Sequence, residues 1–314
     1  MAALKPVRRA TAQVDNPSVH PTSVLIVTLD SCRYDTLAAA AVPAIRELGP
    51  VHRAMAPGHF TYASHLAIFV GFTPGIATAQ EPLLNPKYGR IFRLAGSAST
   101  TRQAPFVTLT GRTIVQGFRR RGYRTIGSAS MRWFNPESDA SKPLIEDFQD
   151  FYYVGPNVGS GVGVEGQVTF VQRSIDRARG RPVFVFLNVG ETHTPYYHTG
   201  APWDPTVNPC QPFGQDNDAE ECRRRQLGCL EFVDQALRPL LGRFATANVV
   251  VCSDHGDAWG EDGVWEHGIS HPKVLEVPLI FRLATPIPPL QASSALSPAA
   301  RVSRRLRRMR HRPT

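Results

Sequence analysis

Ala247-Asn248-Val249-Val250-Val251-Cys252, followed after Ser253 by Asp254-His255, is the stretch whose reading decides the fold. Its β-branched-rich run reads as a buried parallel strand. Near the other end of the chain Val24-Leu25-Ile26-Val27-Thr28-Leu29 runs straight into Asp30 in the same way. Two such strands, each ending on a carboxylate, deliver ligands to one rim of a sheet. A carboxylate, an imidazole and a further oxygen converging there would hold a hard or borderline divalent metal. The pattern points to metal-dependent hydrolysis.

Working outward, strands are predicted over 24–29, 51–54, 123–126, 183–188, 249–252 and 277–281. Helices are predicted over 34–48, 61–70, 113–121, 168–178 and 220–244. Strands alternating with helices imply an α/β fold: a mostly parallel central sheet with helices on both faces. The Pro-, Gly-, Ser- and Thr-rich stretch 73–110 reads as a long excursion over the surface. No internal repeat is visible.

The 314 residues can bury a large core, and 42% hydrophobic with 19% charged residues is the balance of an ordinary globular protein. The net charge of +9 is uneven, because Arg301, Arg304, Arg305, Arg307, Arg308, Arg310 and Arg312 supply seven of it. Such a tail either is solvated and disordered or contacts an acidic partner or surface. It has no interleaved aromatics, so nucleic acid is not expected as a partner. Lys5, Arg8 and Arg9 are followed by no apolar stretch, and no run approaches the roughly 20 apolar residues of a membrane span. A cytoplasmic protein is the expectation. The five cysteines, Cys32, Cys210, Cys222, Cys229 and Cys252, are irregularly spaced and argue against a disulfide framework.

Four segments carry the chemistry. In Asp30-Ser31-Cys32-Arg33-Tyr34-Asp35, Asp30 is either a metal ligand or, with Ser31, a cap for the helix that follows. In Pro57-Gly58-His59-Phe60-Thr61-Tyr62-Ala63-Ser64-His65, Thr61 opens a helix where free backbone N–H groups favour an anion. A dication on that hydroxyl would lower its pKa enough for attack on phosphorus or sulfur. A simple helix cap is the alternative, and Ser64 is the rival nucleophile. His193 follows the strand 183–188 and suits a proton donor or an oxyanion contact. In the fourth segment Asp254 and His255 are followed by Trp265-Glu266-His267-Gly268 and Lys273, whose polar groups would serve the substrate. Arg132 and Trp133 are further recognition candidates, Trp133 being better suited to the core. Cys32 and Cys252 each sit two residues from a carboxylate, which leaves a thiolate-built zinc site open; free cysteines are commonly small buried hydrophobes.

Taken in order, Asp30-Ser31-Cys32-Arg33-Tyr34-Asp35, the Thr61 helix start, His193-Thr194-Pro195-Tyr196, Ser253-Asp254-His255-Gly256, His267-Gly268 and Val277-Pro278-Leu279-Ile280 resemble sulfatase-like enzymes of the alkaline phosphatase superfamily. The resemblance spans residues 24–282. It implies Asp30, Thr61, Asp254 and His255 as metal ligands, Thr61 as nucleophile, and His193 and His267 as substrate contacts or proton donors. Most true sulfatases place a cysteine, converted to formylglycine, where Thr61 stands; threonine cannot follow that route. His193-Thr194-Pro195-Tyr196-Tyr197-His198 lacks the aspartate of two-metal relatives, so one ion is expected: manganese, zinc or calcium.

These readings divide the chain into a disordered segment 1–22, a sulfatase-like catalytic domain 23–285 lacking a large C-terminal subdomain, and a disordered basic tail 286–314. The expected activity is hydrolysis or transfer of a phosphate, phosphonate or sulfate ester on a small anionic molecule, with phosphorus favoured and phosphatase or phosphodiesterase chemistry in view. The competing expectation is a catalytically silent homologue that binds a metal or anion for recognition or assembly.

Overall fold

Strand β1 (Val24–Leu29) pairs in parallel with β5 (Val183–Val189) on one side and β6 (Asn248–Ser253) on the other, in a register that sets Leu29 opposite both Val189 and Ser253. The three strands therefore end level, and Asp30, Gly190 and Asp254 leave the sheet at one rim. These strands belong to a computed structural model that describes residues 18–71, 112–155 and 163–284. With β2 (His52–Met55), β3 (Arg124–Ala129), β4 (Asp150–Tyr153) and β9 (Glu276–Arg282) they form a seven-stranded sheet in the order β2-β9-β6-β1-β5-β3-β4. All its pairings are parallel except those of β9 with β6 and with β2. A two-stranded ribbon, β7 (Ala258–Trp259) with β8 (Trp265–Glu266), follows the rim after β6.

Both faces of the sheet are covered, which is why its strands read as continuous apolar runs. Leu25, Val27 and Leu29 pack with helices α1 (Tyr34–Ala39), α2 (Pro43–Arg46), α6 (Val164–Arg177) and α7 (Ala219–Arg243), through Leu37, Ile45, Val171, Leu230, Val233 and Leu237. On the opposite face Phe184 and Phe186 pack with α3 (Thr61–Val70), α4 (Ile114–Arg120) and α5 (Lys142–Ile145), through Tyr62, Leu66, Phe69, Val115 and Leu144. Cutting a fully buried ring such as Phe186 to alanine costs about 3–5 kcal/mol, a large share of a typical domain's net stability.

The helix expected over 34–48 is two helices. Pro43 disfavours helical geometry at Val42, whose φ of −118° and ψ of 68° break the run, and the proline opens α2. The helix expected from Val168 starts four residues earlier because the Glu191 carboxylate accepts the Val164 N–H at 2.6 Å. Strand β4 and the β7–β8 ribbon are additions to the sequence reading. The stretch 73–110, the tail 286–314 and residues 1–17 of the N-terminal segment lie outside the described residues. Within 18–22, Val19 is buried and its N–H reaches the Arg243 carbonyl at 3.0 Å.

Candidate metal and ester site

Asp30 enters the rim with its N–H bonded to the Val189 carbonyl at 2.9 Å, while Thr192 Oγ1 donates to the Asp30 carbonyl at 2.7 Å. Ser31 then adopts a left-handed φ of 58°, turning its N–H onto Asp254 Oδ1 at 3.3 Å. The same Oδ1 accepts the His255 N–H at 3.0 Å. Two strand ends far apart in sequence are thus locked together by backbone donors. Thr61, at the first turn of α3, brings Oγ1 to 3.4 Å from Asp30 Oδ1 and 3.3 Å from His255 Nε2. His255 Nε2 lies 3.6 Å from Asp30 Oδ1 and 3.5 Å from Asp254 Oδ2. Asp30, Thr61, Asp254 and His255, the set that the resemblance implies, are brought together at this rim.

The donor set fits a small dication. Four of the six ligand-to-ligand separations are 3.3–3.6 Å, and a regular tetrahedron of that edge encloses an ion at about 2.0–2.2 Å from each ligand, the range of zinc–oxygen and zinc–nitrogen bonds. The chemistry of the groups agrees with the geometry. Asp254 Oδ2 is buried and, among the described residues, has no hydrogen-bond partner. A cation, or a proton shared with neighbouring Asp30, would satisfy it. Burial, and for Asp30 the Asp254 charge, raise both carboxyl groups above their ordinary range, Asp254 to about 6. His255 moves the other way, to about 3, because burial and then the His267 charge disfavour its imidazolium. A neutral imidazole is the form that ligates a metal. Its Nδ1 donates to the Gly256 carbonyl at 3.0 Å, leaving Nε2 with a single lone pair for a single ion.

His255, Asp257 and His267 form a second close grouping, but His267 Nδ1 already bonds Asp257 Oδ1 at 2.7 Å. Burial alone would lower the His267 pKa; the Asp257 hydrogen bond and charge outweigh it and raise the group to about 9. The His267 ring centroid lies 4.4 Å from that of His255 and 5.1 Å from that of His193. His193 Nδ1 donates to the Thr194 carbonyl at 2.7 Å, so Nε2 is its remaining functional atom. Both histidines border the ligand cluster, at one side of it.

Other candidates fall elsewhere. Ser64 Oγ is buried against the Pro57-Gly58 turn, where a Cβ on Gly58 would approach it to 2.9 Å. Lys273 Nζ is paired with Asp35 Oδ2 at 2.7 Å, within a cluster where Arg33 binds Asp35 and Glu261 and stacks on Trp259 at 4.1 Å. That cluster braces the turn after Asp30 against the loop after Asp257. Trp133 is partly buried against the core beside Tyr62, with ring centroids 5.2 Å apart, and Arg132 is exposed beside it. The thiolate site finds no support among the described residues: Cys32 Sγ lies in the apolar core and contacts the Arg33 carbonyl, and burial raises the Cys32 and Cys252 thiols.

Asp257, Tyr196, Asn188, Thr28 and His65 support the site and were assigned no role from sequence. Tyr196 Oη donates to Asp257 Oδ2 at 2.7 Å and accepts from Trp259 Nε1 at 2.8 Å. The one sequence signal for such groups is a polar residue inside a strand that is otherwise apolar, which describes Thr28 and Asn188. The segment after His193 is strapped to α7 by Arg225. Its guanidinium, only 4% exposed, binds Glu221 Oε1 and the Val207 carbonyl, each at 2.7 Å. Arg225→Ala is expected to cost roughly 2 kcal/mol in urea unfolding, since it removes the donor to the Pro195, Asp204 and Val207 carbonyls, while Glu221 keeps its Arg224 partner at 2.6 Å. A loss within about 0.5 kcal/mol, the range of ordinary surface changes, would show that the strap carries no weight.

A mostly parallel sheet with helices on both faces, gathering carboxylate, imidazole and hydroxyl groups at its strand ends, is an alkaline phosphatase-like fold. The Sulfatase family model matches residues 88–302, and the chain belongs to that family. The matched span includes His193, Asp254, His255 and His267 and begins after Asp30 and Thr61. No curated protein sequence matches the chain. Among solved structures, it is similar to the C-terminal periplasmic domain of EcEptC from Escherichia coli in complex with zinc, at 12% identity over 84% of this chain and 73% of that one, with a TM-score of 0.53. The C-terminal periplasmic domain of the phosphoethanolamine transferase EptC from Campylobacter jejuni is similar at 13% identity, 84% and 80% coverage and a TM-score of 0.53. The phosphonate monoester hydrolase of Agrobacterium radiobacter is similar at 14% identity, 84% and 68% coverage and a TM-score of 0.53. Superfamily members act on phosphate or sulfate esters as hydrolases or transferases. Among the described residues no helix is long and apolar enough to cross a membrane.

Proposed function

We propose that the chain hydrolyses or transfers a phosphate or phosphonate ester of a small anionic molecule, with Thr61 as nucleophile and one zinc ion held by Asp30, Thr61, Asp254 and His255. The observation that carries this reading is the meeting of those four groups around the unpartnered Asp254 Oδ2, with spacings that suit a small tetrahedral ion. A bound dication supplies Lewis acidity, lowering the hydroxyl pKa and offsetting charge on the ester oxygens. Thr61 Oγ1 gives up its proton to solvent water and forms a bond to phosphorus as the bond from phosphorus to the departing oxygen, in line with it, breaks. His267, held as an imidazolium by Asp257, and His193 stand beside that point to bind a non-bridging oxygen or to protonate the leaving group. Water, or an acceptor alcohol in a transferase, then takes the phosphoryl group from Thr61 and restores its hydroxyl. Threonine in place of a formylglycine precursor favours phosphorus over sulfur.

Elemental analysis of the purified protein, combined with a panel of aryl phosphate, phosphodiester, phosphonate and sulfate esters, tests the reading. One zinc per chain and turnover of a phosphorus ester are the expected results. A protein that takes up no divalent ion and turns over no ester on the panel would sink it.

A further inference from the structure

Beneath the candidate site runs a closed ring of hydrogen bonds through five residues, each no more than 1% exposed: Thr28, Asp30, Thr61, His65 and Asn188. Asn188 Nδ2 donates to Asp30 Oδ2 at 2.8 Å and lies 3.5 Å from Thr28 Oγ1. Thr28 Oγ1 lies 3.0 Å from His65 Nε2, and His65 Nδ1 lies 2.7 Å from the Thr61 carbonyl oxygen. Thr61 Oγ1, 3.4 Å from Asp30 Oδ1, closes the ring.

The donor directions around the ring are determined by chemistry. A carbonyl only accepts, so His65 Nδ1 carries a proton. In the neutral imidazole Nε2 is then the acceptor and takes the Thr28 hydroxyl proton. The Thr28 oxygen is left to accept from Asn188, whose second N–H serves Asp30. Asn188 Oδ1 accepts the Met131 N–H at 3.3 Å, which sets the amide orientation. The Thr28 hydroxyl also has the Leu187 carbonyl within reach at 3.3 Å, longer than the 3.0 Å to His65, and the sequence of donors runs from Asn188 through Thr28 and His65 to Thr61. The parallel register places Thr28 directly beside Asn188, while His65 is one turn along α3 from Thr61. His65 is wedged edge-on among Phe69, Phe134 and Phe186, so its ring has little freedom to turn.

From this ring we infer that Thr28, with Asn188 and His65, is a positioning residue that sets the Asp30 carboxylate and the first turn of α3 at the separation the cation needs. The inference rests on the proposed metal site. One arm of the ring fixes the rotation of the Asp30 carboxylate by holding Oδ2, which turns Oδ1 toward Thr61 and His255. The other arm ties the Thr61 backbone to the central strand. Thr28 joins the two arms, and its hydroxyl proton and lone pair are both used. Its methyl group contributes packing alone.

The hydroxyl and the methyl can be separated by substitution in the full-length chain. Thr28→Val keeps the shape and removes the hydroxyl; Thr28→Ser keeps the hydroxyl and removes a buried methyl. Zinc affinity, measured by competition with a chromophoric chelator, is expected to fall about tenfold in Thr28→Val and to stay within about twofold in Thr28→Ser. On the best ester, kcat should follow the same order with KM unchanged, although Thr28→Ser melts lower than the parent. Should the valine variant not fold, Thr28→Ala read against Thr28→Ser makes the same comparison. Parent-like zinc affinity and kcat in Thr28→Val, or equal impairment of the serine and hydroxyl-free variants, would overturn the positioning role alone. A parent protein that binds no divalent metal overturns the proposed site and this inference with it.

Discussion

Thr61→Ala is expected to lower turnover of the best phosphorus ester by on the order of 10⁵-fold, the loss seen when a nucleophile that works as part of a unit is removed. The alanine leaves the helix N-terminus and the neighbouring imidazoles in place, so substrate binding should change far less than kcat. Thr61→Ser retains a hydroxyl on the same carbon and should recover most of the rate. Mass spectrometry of the parent, quenched during turnover, should find the phosphoryl group on Thr61. Turnover of Thr61→Ala within about tenfold of the parent would assign the attack to another group. Ser64 is poorly placed to take over. Its hydroxyl is buried against the Gly58 turn, whereas the Thr61 hydroxyl meets Asp30 and His255.

The second large effect concerns metal removal and pH. In the metal-free protein Asp254 has its pKa raised by burial from 3.8 to about 6. A carboxyl group with a folded value above its unfolded one stabilises the fold below the lower value and ceases to do so as pH rises through the higher. The metal-free protein should therefore lose stability as pH rises from near 4 through about 6, as two buried carboxylates become charged side by side. A dication replaces the missing proton. Zinc at about a thousandfold over its Kd should add about 4 kcal/mol, roughly 10 °C in Tm, with a larger gain near pH 8 than near pH 5. Asp254→Asn should abolish most of that gain and make the metal-free protein more stable than the parent near pH 8, because one buried charge is gone. A chelator that leaves Tm unchanged near pH 8, or a gain that is larger near pH 5, contradicts the arrangement.

The two effects separate chemistry from charge balance. Thr61 matters to the first because its oxygen reacts, and it adds only one neutral ligand to the second. Asp254 dominates the second because its Oδ2 has no hydrogen-bond donor among the described residues. That contrast explains why a stability measurement on Asp254→Asn informs the metal site even before an ester substrate is found.

Much of the architecture is legible in the chain as written. The runs ending at Asp30 and before Asp254 are continuous and β-branched because both faces of those strands are buried, and burial is encoded locally. Their lengths are similar, so carboxylates placed just past their ends arrive at one rim. Thr61 at a helix start and His193 after a buried strand carry the same kind of local signal. Local reading fails where neighbours compete: Pro43 divides a helix that periodicity alone runs through to Leu48, and Glu191 starts another helix ahead of its apolar pattern.

What the sequence by itself determined is the list of elements, their order, and which side chains stand at the C-terminal ends of the strands. Only the tertiary structure decided that Lys273 pairs with Asp35, that Asp257 holds His267, and that Thr28, Asn188 and His65 join Thr61 to Asp30. The physical reason is range. Apolar periodicity acts over a few residues, whereas Thr28 meets His65 and Asn188 across 37 and 160 positions of chain. Such contacts exist only once strand register and helix rotation are set.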